Sequence, residues 1–191
     1  MCDAVEGRFL DQLDIAALRA AVTRAETDGI DAVFLTDGAL GDAIVLAAGL
    51  AAGLAPGILL GVRISLGDQP HRHPTVLARE MTTLDLVSAG RSVLALAAPF
   101  SDATAEAITL CQEMWRTGIA TSEGPHYPAA GAINRPLPAR PGGPPIALDL
   151  TAGPAPDAAL LRRCDLVLVP AGAAPPPRLP PGVDVCRMQD A

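Results

Sequence analysis

The 191-residue chain contains no lysine: all 14 of its basic residues are arginine. That absence excludes Schiff-base chemistry and any phosphate loop built on a lysine ammonium. Aromatic side chains are scarce too, at 3% against 50% apolar residues, so alanine, leucine and valine must build the core. Cys2, Cys111, Cys164 and Cys186 are scattered without a C-x-x-C pair, a spacing that suits neither a disulfide framework nor a zinc centre. Cys111 and Cys164 read as small apolar filler. Excess positive charge is also missing. A formal charge of −7 disfavours nucleic acid and an anionic membrane surface as partners, since both reward clustered cations.

The stretch from Ala39 to Val62 is almost wholly apolar, but Asp42 interrupts it and Gly53, Pro56 and Gly57 break it. It reads as a buried helix followed by a buried strand, not as a membrane span. The N-terminus, with Asp3 and Glu6, lacks the basic start and apolar core of a secretory signal, so a cytoplasmic protein is expected.

What is present is alternation. Ile15, Leu18, Val22 and Ala25 recur at helical spacing between Asp14, a fair N-cap, and Gly29, a stop. Ala32–Leu35 is a short apolar run of the kind buried on both faces of a parallel sheet. A helix from about Ala39 to Leu54 precedes a strand at Ile58–Ile64. Pro74 suits a first helical turn, with Val76 or Leu77, Met81 and Leu84 on one apolar face and Gly90 closing it. Ser92–Ala97 is the next strand. Asp102 is expected to cap a helix carrying Ile108, Cys111 and Trp115 on its inner face, ending at Gly118.

Residues 118–145 hold seven prolines and little periodicity, so an irregular surface excursion is expected there, with Tyr127 and Ile133 able to pack down. Strand, helix and strand resume at Ile146–Leu150, Ala155–Arg163 and Leu166–Val169. The Pro-rich segment Pro170–Pro181 reads as an extended linker, and Val183–Arg187 as a last strand or an arm. Two regions follow: residues 1–170 as the main domain and 171–191 as linker and arm. Strands separated by helices imply a parallel sheet with right-handed crossovers. With five firm strands and weaker ones at Arg8–Leu10 and Val183–Arg187, the chain falls short of the roughly 250 residues of an eight-unit βα barrel. A shortened or incomplete TIM-type barrel, truncated or partly open, is the expected α/β fold. A doubly wound sheet is the alternative, although no Gly-x-Gly-x-x-Gly follows any strand.

The segment from His71-Arg72-His73-Pro74 through Ala78-Arg79-Glu80 and Thr83-Leu84-Asp85 to Ser88-Ala89-Gly90-Arg91 resembles the third helix of luciferase-like monooxygenases. Glu26–Asp37, Cys111–Tyr127 and Pro144-Pro145-Ile146 are similar to later and earlier parts of the same family in the right order. The resemblance covers roughly residues 12 to 170. It implies reduced FMN or the deazaflavin coenzyme F-420 lying over the C-terminal mouth of the barrel, acting on a small organic substrate. It also implies a homodimer or heterodimer formed through the second and third helices.

Carried over by residue, the resemblance makes Asp37 the acid after the second strand, with glycine at position 38 where the family has histidine. His126, in a loop the family places near the mouth, becomes a candidate substrate contact, with an anchoring loop residue as the bland alternative. Arg63-Ile64 stands where the family often has a non-prolyl cis bond. Ala97 and Ala98 lie in a stretch where the family has Gly-x-Gly, and each added methyl takes room from the ring. Thr151, Ala152 and Gly153 match the turn that holds the flavin phosphate at a helix N-terminus; an ordinary threonine-capped loop is the other reading. His71 and His73 form an incomplete metal pair, and His73 reads better as a helix start. Glu80 and Asp85 are expected to bond neighbouring backbone or a partner. Two functions compete: a flavin- or deazaflavin-dependent oxidoreductase, and a degenerate, non-catalytic relative serving as partner subunit or ligand carrier.

Overall fold

A computed structural model describes residues 5–10, 14–37, 41–53, 57–66, 72–177 and 179–189. Cys2, Gly38, His71, Pro56 and the expected helix ends Ala39 and Leu54 lie outside them. The elements run β1 (Val5–Leu10), α1 (Ile15–Thr27), β2 (Ala32–Thr36), α2 (Ala43–Ala51), β3 (Leu59–Ser65), α3 (Pro74–Val87) and β4 (Ser92–Ala97). They continue with α4 (Asp102–Thr117), β5 (Ile119–Ser122), β6 (Ala129–Ile133), β7 (Ile146–Asp149), α5 (Ala158–Leu161), β8 (Leu166–Pro170) and β9 (Asp184–Gln189).

The order β1-β2-β3-β4-β7-β8-β9 is a closed parallel barrel, because β9 pairs with both β8 and β1. The expected shortened TIM-type barrel is present in its closed form, not the partly open one, and of residues 183–187, expected as a last strand or an arm, 184–187 lie in β9 as a strand of that barrel. The extended run before β9 contains one large apolar side chain, Leu179, yet it delivers a strand whose edges both need partners.

Residues alternate between two apolar layers, as the two-residue strand period requires. Val33, Leu35, Leu60, Val62, Leu94, Leu96, Leu148 and Val167 face the helices. Ala32, Phe34, Val93, Ala95, Ala147, Leu168, Cys186 and Met188 fill the barrel. The interior is narrow, and Phe34 occupies its middle. Gly61 is the neighbour that allows it: a Cβ there would collide with the Phe34 ring, and one at Gly7 would strike Cys186 Sγ and Met188 Sδ. Phe9 packs edge-on against Phe34 at 6.2 Å between ring centroids, so two of the chain's few aromatics serve this interior. Burial pushes the Cys111, Cys164 and Cys186 thiols up to about 12, as fits apolar filler.

Helix starts follow local chemistry. His73 Nδ1 accepts from the Thr75 N–H at 3.3 Å, with Pro74 as first residue of α3. Ser101, not Asp102, is the N-cap of α4, and its N–H donates to Thr104 Oγ1 at 3.1 Å. The 118–145 excursion is more ordered than its prolines suggest: β5 and β6 form an antiparallel hairpin against α3 and α4. Trp115 Nε1 donates to Ala78 O at 2.9 Å, and buried Asn134 donates to Thr82 Oγ1 and Met114 O. Tyr127 packs down as expected, whereas Ile133 is 62% exposed. Buried Asp85 accepts from Ser92 Oγ and from the Arg140 N–H, tying α3 to β4 and to the excursion. No helix among the described residues is long and apolar enough to cross a membrane.

Candidate active site at the barrel mouth

The C-terminal ends of the barrel strands carry the polar chemistry. Arg63 on β3 and Asp149 at the end of β7 have the inward register of the strands between them, through Ala95 and Ala97 on β4. Arg63 Nε donates to Asp149 Oδ2 at 2.5 Å. The Asp149 side chain is 1% exposed, and its other oxygen, Oδ1, accepts from Thr151 N at 2.9 Å and Thr151 Oγ1 at 2.6 Å. A buried carboxylate needs such donors to stay charged. The Arg63 guanidinium sits 5.5 Å over the Phe9 ring centroid and is 24% exposed, so the pair turns its cationic end outward.

A second cluster lies outside the strands, between β2 and α3. Asp37 Oδ2 accepts from Arg72 Nη1 at 2.5 Å, and its Oδ1 accepts from the Ala43 N–H at the start of α2. Arg72 also meets Asp42, the N-cap of α2, and Glu80 of α3. Burial works against the Arg72 charge, but the hydrogen bond and charge of Asp37, helped by Asp42 and Glu80, hold its pKa above the usual arginine value. Glu80 goes up because of burial, only partly countered by Arg72, with Asp42 and Asp37 adding to the rise. Its Oε2 lies 3.0 Å from Arg72 Nε yet makes no hydrogen bond, so this contact is a charge contact with poor direction.

The candidate residues from sequence divide accordingly. Ala98 and Gly153 come together: an added Cβ on Gly153 would stand 3.1 Å from Ala98 Cβ. With Ala152, Pro99, Phe100 and Pro154 they line a cleft of about 440 Å³ between the β4–α4 and β7–α5 loops. Ala97 is buried at the end of β4 beside it. Ile64 faces the helix layer, away from the barrel interior. The cis peptide bonds among the described residues are Ala98–Pro99 and Arg135–Pro136, so Arg63–Ile64 is trans. His126 is exposed, its N–H donating to Glu106 Oε2 at 3.2 Å, and its ring lies 6.5 Å from Tyr127, which in turn meets the ring of His73, the N-cap of α3, at 5.6 Å.

Sequence reading missed Asp149 and the clamp formed by Arg72. The signal was present: Asp149 ends an otherwise apolar buried strand, and Arg63 interrupts another. Opposite charges in two such strands invite a pair.

At the expected phosphate turn of Thr151, Ala152 and Gly153, the first residue is already bonded within the chain. Thr151 spends its N–H and hydroxyl on Asp149, and α5 is a single turn capped by the Asp157 carboxylate. A second negative charge there meets two carboxylates, with Pro154 and Pro156 supplying no donors. The apolar cleft suits a ring, and Thr151 has neither its N–H nor its hydroxyl proton left for a phosphate.

A parallel βα barrel with charged groups gathered at the C-terminal strand ends has the organisation of a barrel enzyme site. Residues 4–103 match the luciferase-like monooxygenase family, and the chain belongs to it. No curated protein matches. The fold is similar to coenzyme F-420-dependent tetrahydromethanopterin reductase from Methanopyrus kandleri, at TM-score 0.72 and 17% identity over 89% of this chain and 56% of that one. It is also similar to EDTA monooxygenase from Chelativorans sp. BNC1, at TM-score 0.71 and 18% identity over 87% and 53%. A third relative in fold is the oxygenating constituent of 3,6-diketocamphane monooxygenase from Pseudomonas putida, in complex with FMN, at TM-score 0.66 and 18% identity over 88% and 59%. The chain therefore spans little more than half the length of these structures.

Proposed function

We propose that this chain is an oxidoreductase module of the luciferase-like family, taking reduced FMN or coenzyme F-420 across the barrel mouth to act on a small organic substrate. The observation that carries the reading is the apolar cleft of about 440 Å³ beside Ala98 and Gly153, within the size range of small-molecule sites. When bound, the coenzyme would supply hydride or reduced-oxygen chemistry. This chain's contribution is to offer a flat apolar surface at Ala98 and Gly153 and an oriented cation at Arg63. Asp37, tied to Arg72 and to the start of α2, fixes the β2–α2 edge of the mouth. His126 has no role in this proposal.

The self-satisfied Thr151 and Asp157 favour a second reading, a non-catalytic partner subunit or ligand carrier. Either form is proposed to pair through α2 and α3, where Val45 and Val76 are 66% and 46% exposed. Light scattering showing a clean monomer at micromolar concentration removes that pairing.

Titration of the purified chain with FMN, riboflavin and coenzyme F-420 separates the two functional readings. The enzyme reading expects binding below about 100 µM, an energy near −5.5 kcal/mol, and riboflavin binding close to FMN because Thr151 has no donor left for the phosphate. Replacing Gly153 by Leu fills the cleft and should abolish it. No binding of any of the three leaves the partner-subunit reading.

A further inference from the structure

The geometry points to a carboxylate-receiving site on Arg63: the barrel mouth takes a small organic acid whose carboxylate meets the Nη1/Nη2 edge of this guanidinium. The inference rests on the mouth being a ligand site and goes further by naming the ligand's chemistry.

A guanidinium has several donors in one plane. In Arg63 the Nε–H is given to Asp149, and the described residues supply no hydrogen-bond partner for Nη1 or Nη2. Cζ of the group stands 5.5 Å over the Phe9 ring centroid, and the side chain keeps 24% of its surface exposed while Asp149 keeps 1%, so the guanidinium is the part of the pair that reaches solvent. Its Nη1/Nη2 edge matches the two oxygens of a carboxylate, and fork-to-fork pairing is the strong form of such contacts.

The neighbouring acid does not cancel the site. Asp149 lies beneath at 1% exposure and is held by three donors, from Arg63 and Thr151. Asp37, the nearest acid along the adjoining strand, is committed to Arg72 and the Ala43 N–H. The buried pair is thus a fixed dipole with its positive end toward the mouth, in a chain whose formal charge is −7. It spends no reorganisation on meeting an anion, because Asp149 and Phe9 already hold the guanidinium in place.

Calorimetric titration of the full chain with benzoate, against neutral benzamide of the same shape, tests the site. Saturable benzoate binding at least about tenfold tighter than benzamide is expected from a charge-assisted pair. Arg63→Lys keeps the charge but loses the fork, and should weaken benzoate several-fold with little change for benzamide. The paired change Arg63→Met with Asp149→Leu removes both charges together, so no buried charge is stranded, and should abolish the preference. Equal binding of benzoate and benzamide, or unchanged benzoate binding in Arg63→Lys, overturns the site. FMN and riboflavin arms identify the source of the anion. Competition by FMN alone means that Arg63 takes the coenzyme phosphate, which also overturns the carboxylate assignment. Flavin binding without benzoate binding leaves the proposed function standing and removes this inference; benzoate binding without flavin binding does the reverse.

Discussion

The lower barrel and its mouth solve opposite problems with the same seven strands. Below, Phe34 sits in the apolar cluster with Ala95, Ala147 and Cys186, close to Gly7 and Gly61 and edge-on to Phe9, and shape alone decides the fit. Above, Arg63 and Asp149 share the inward register, Thr151 bonds Asp149 from the turn after β7, and hydrogen bonding decides the fit. The difference shows how a barrel restricts polarity to one end. The interior cannot solvate a charge, but the final residues of each strand lie where loops and water can.

The largest expected effect lies below. Phe34→Ala should cost about 3–5 kcal/mol, because a fully buried ring is lost and the glycines and alanines beside it have little side chain with which to fill the void. Equilibrium denaturation reads it, and a cost under 1 kcal/mol would mean that the tube is looser than described.

At the mouth the comparison predicts a different pattern. Arg63→Met alone strands the Asp149 carboxylate and should cost roughly 3 kcal/mol, whereas adding Asp149→Leu should recover most of that loss. Additive behaviour of the two changes would break the account of a locked pair. Thr151→Val should cost about 1 kcal/mol through Asp149 Oδ1, and nothing measurable once Asp149 is leucine.

The smallest effect belongs to the outer cluster. Glu80 has a folded pKa raised above its ordinary 4.5, chiefly by burial. A raised carboxyl contributes stability below the unfolded value and loses it as pH rises through the folded one. Glu80→Gln should therefore raise the melting temperature at pH 7 and leave it unchanged below about pH 4, with a gain of about 0.5 kcal/mol or less because the side chain is 34% exposed. A lower melting temperature at pH 7 would show that the Arg72 contact outweighs burial.

Most of the barrel was legible because its strands are short apolar runs between helix signals. Ala32–Leu35, Ile58–Ile64 and Leu166–Val169 gave themselves away by composition, and α3 by Pro74 and its apolar stripe. Closure was not legible. Whether Val183–Arg187 pairs with β1 depends on curvature summed over the whole sheet, which no local pattern carries. The hairpin in the excursion was hidden by prolines that sit outside its strands. The mouth was half legible: Arg63, Ala98 and Gly153 were placed at it, but Asp149 was read as strand. His126 lies in a loop beside Tyr127, whose ring meets His73 at the start of α3.

The seam between β1 and β9 carries a consequence for how the chain is made. It joins Val5 to Cys186, the first strand of the barrel to the last. On a ribosome the sheet must wait with the β1 edge open until residues 184–189 emerge, and contacts so distant in sequence form slowly. An open edge invites pairing with other chains. Glu6 and Arg8 stand on the outward face of β1, with Arg187 and Gln189 on β9, and Gln189 Nε2 donates to Glu6 Oε2 at 2.5 Å once the seam is closed. Before closure Glu6 and Arg8 guard an unpaired edge against a neighbour on the same polysome; afterwards Glu6 helps fasten it.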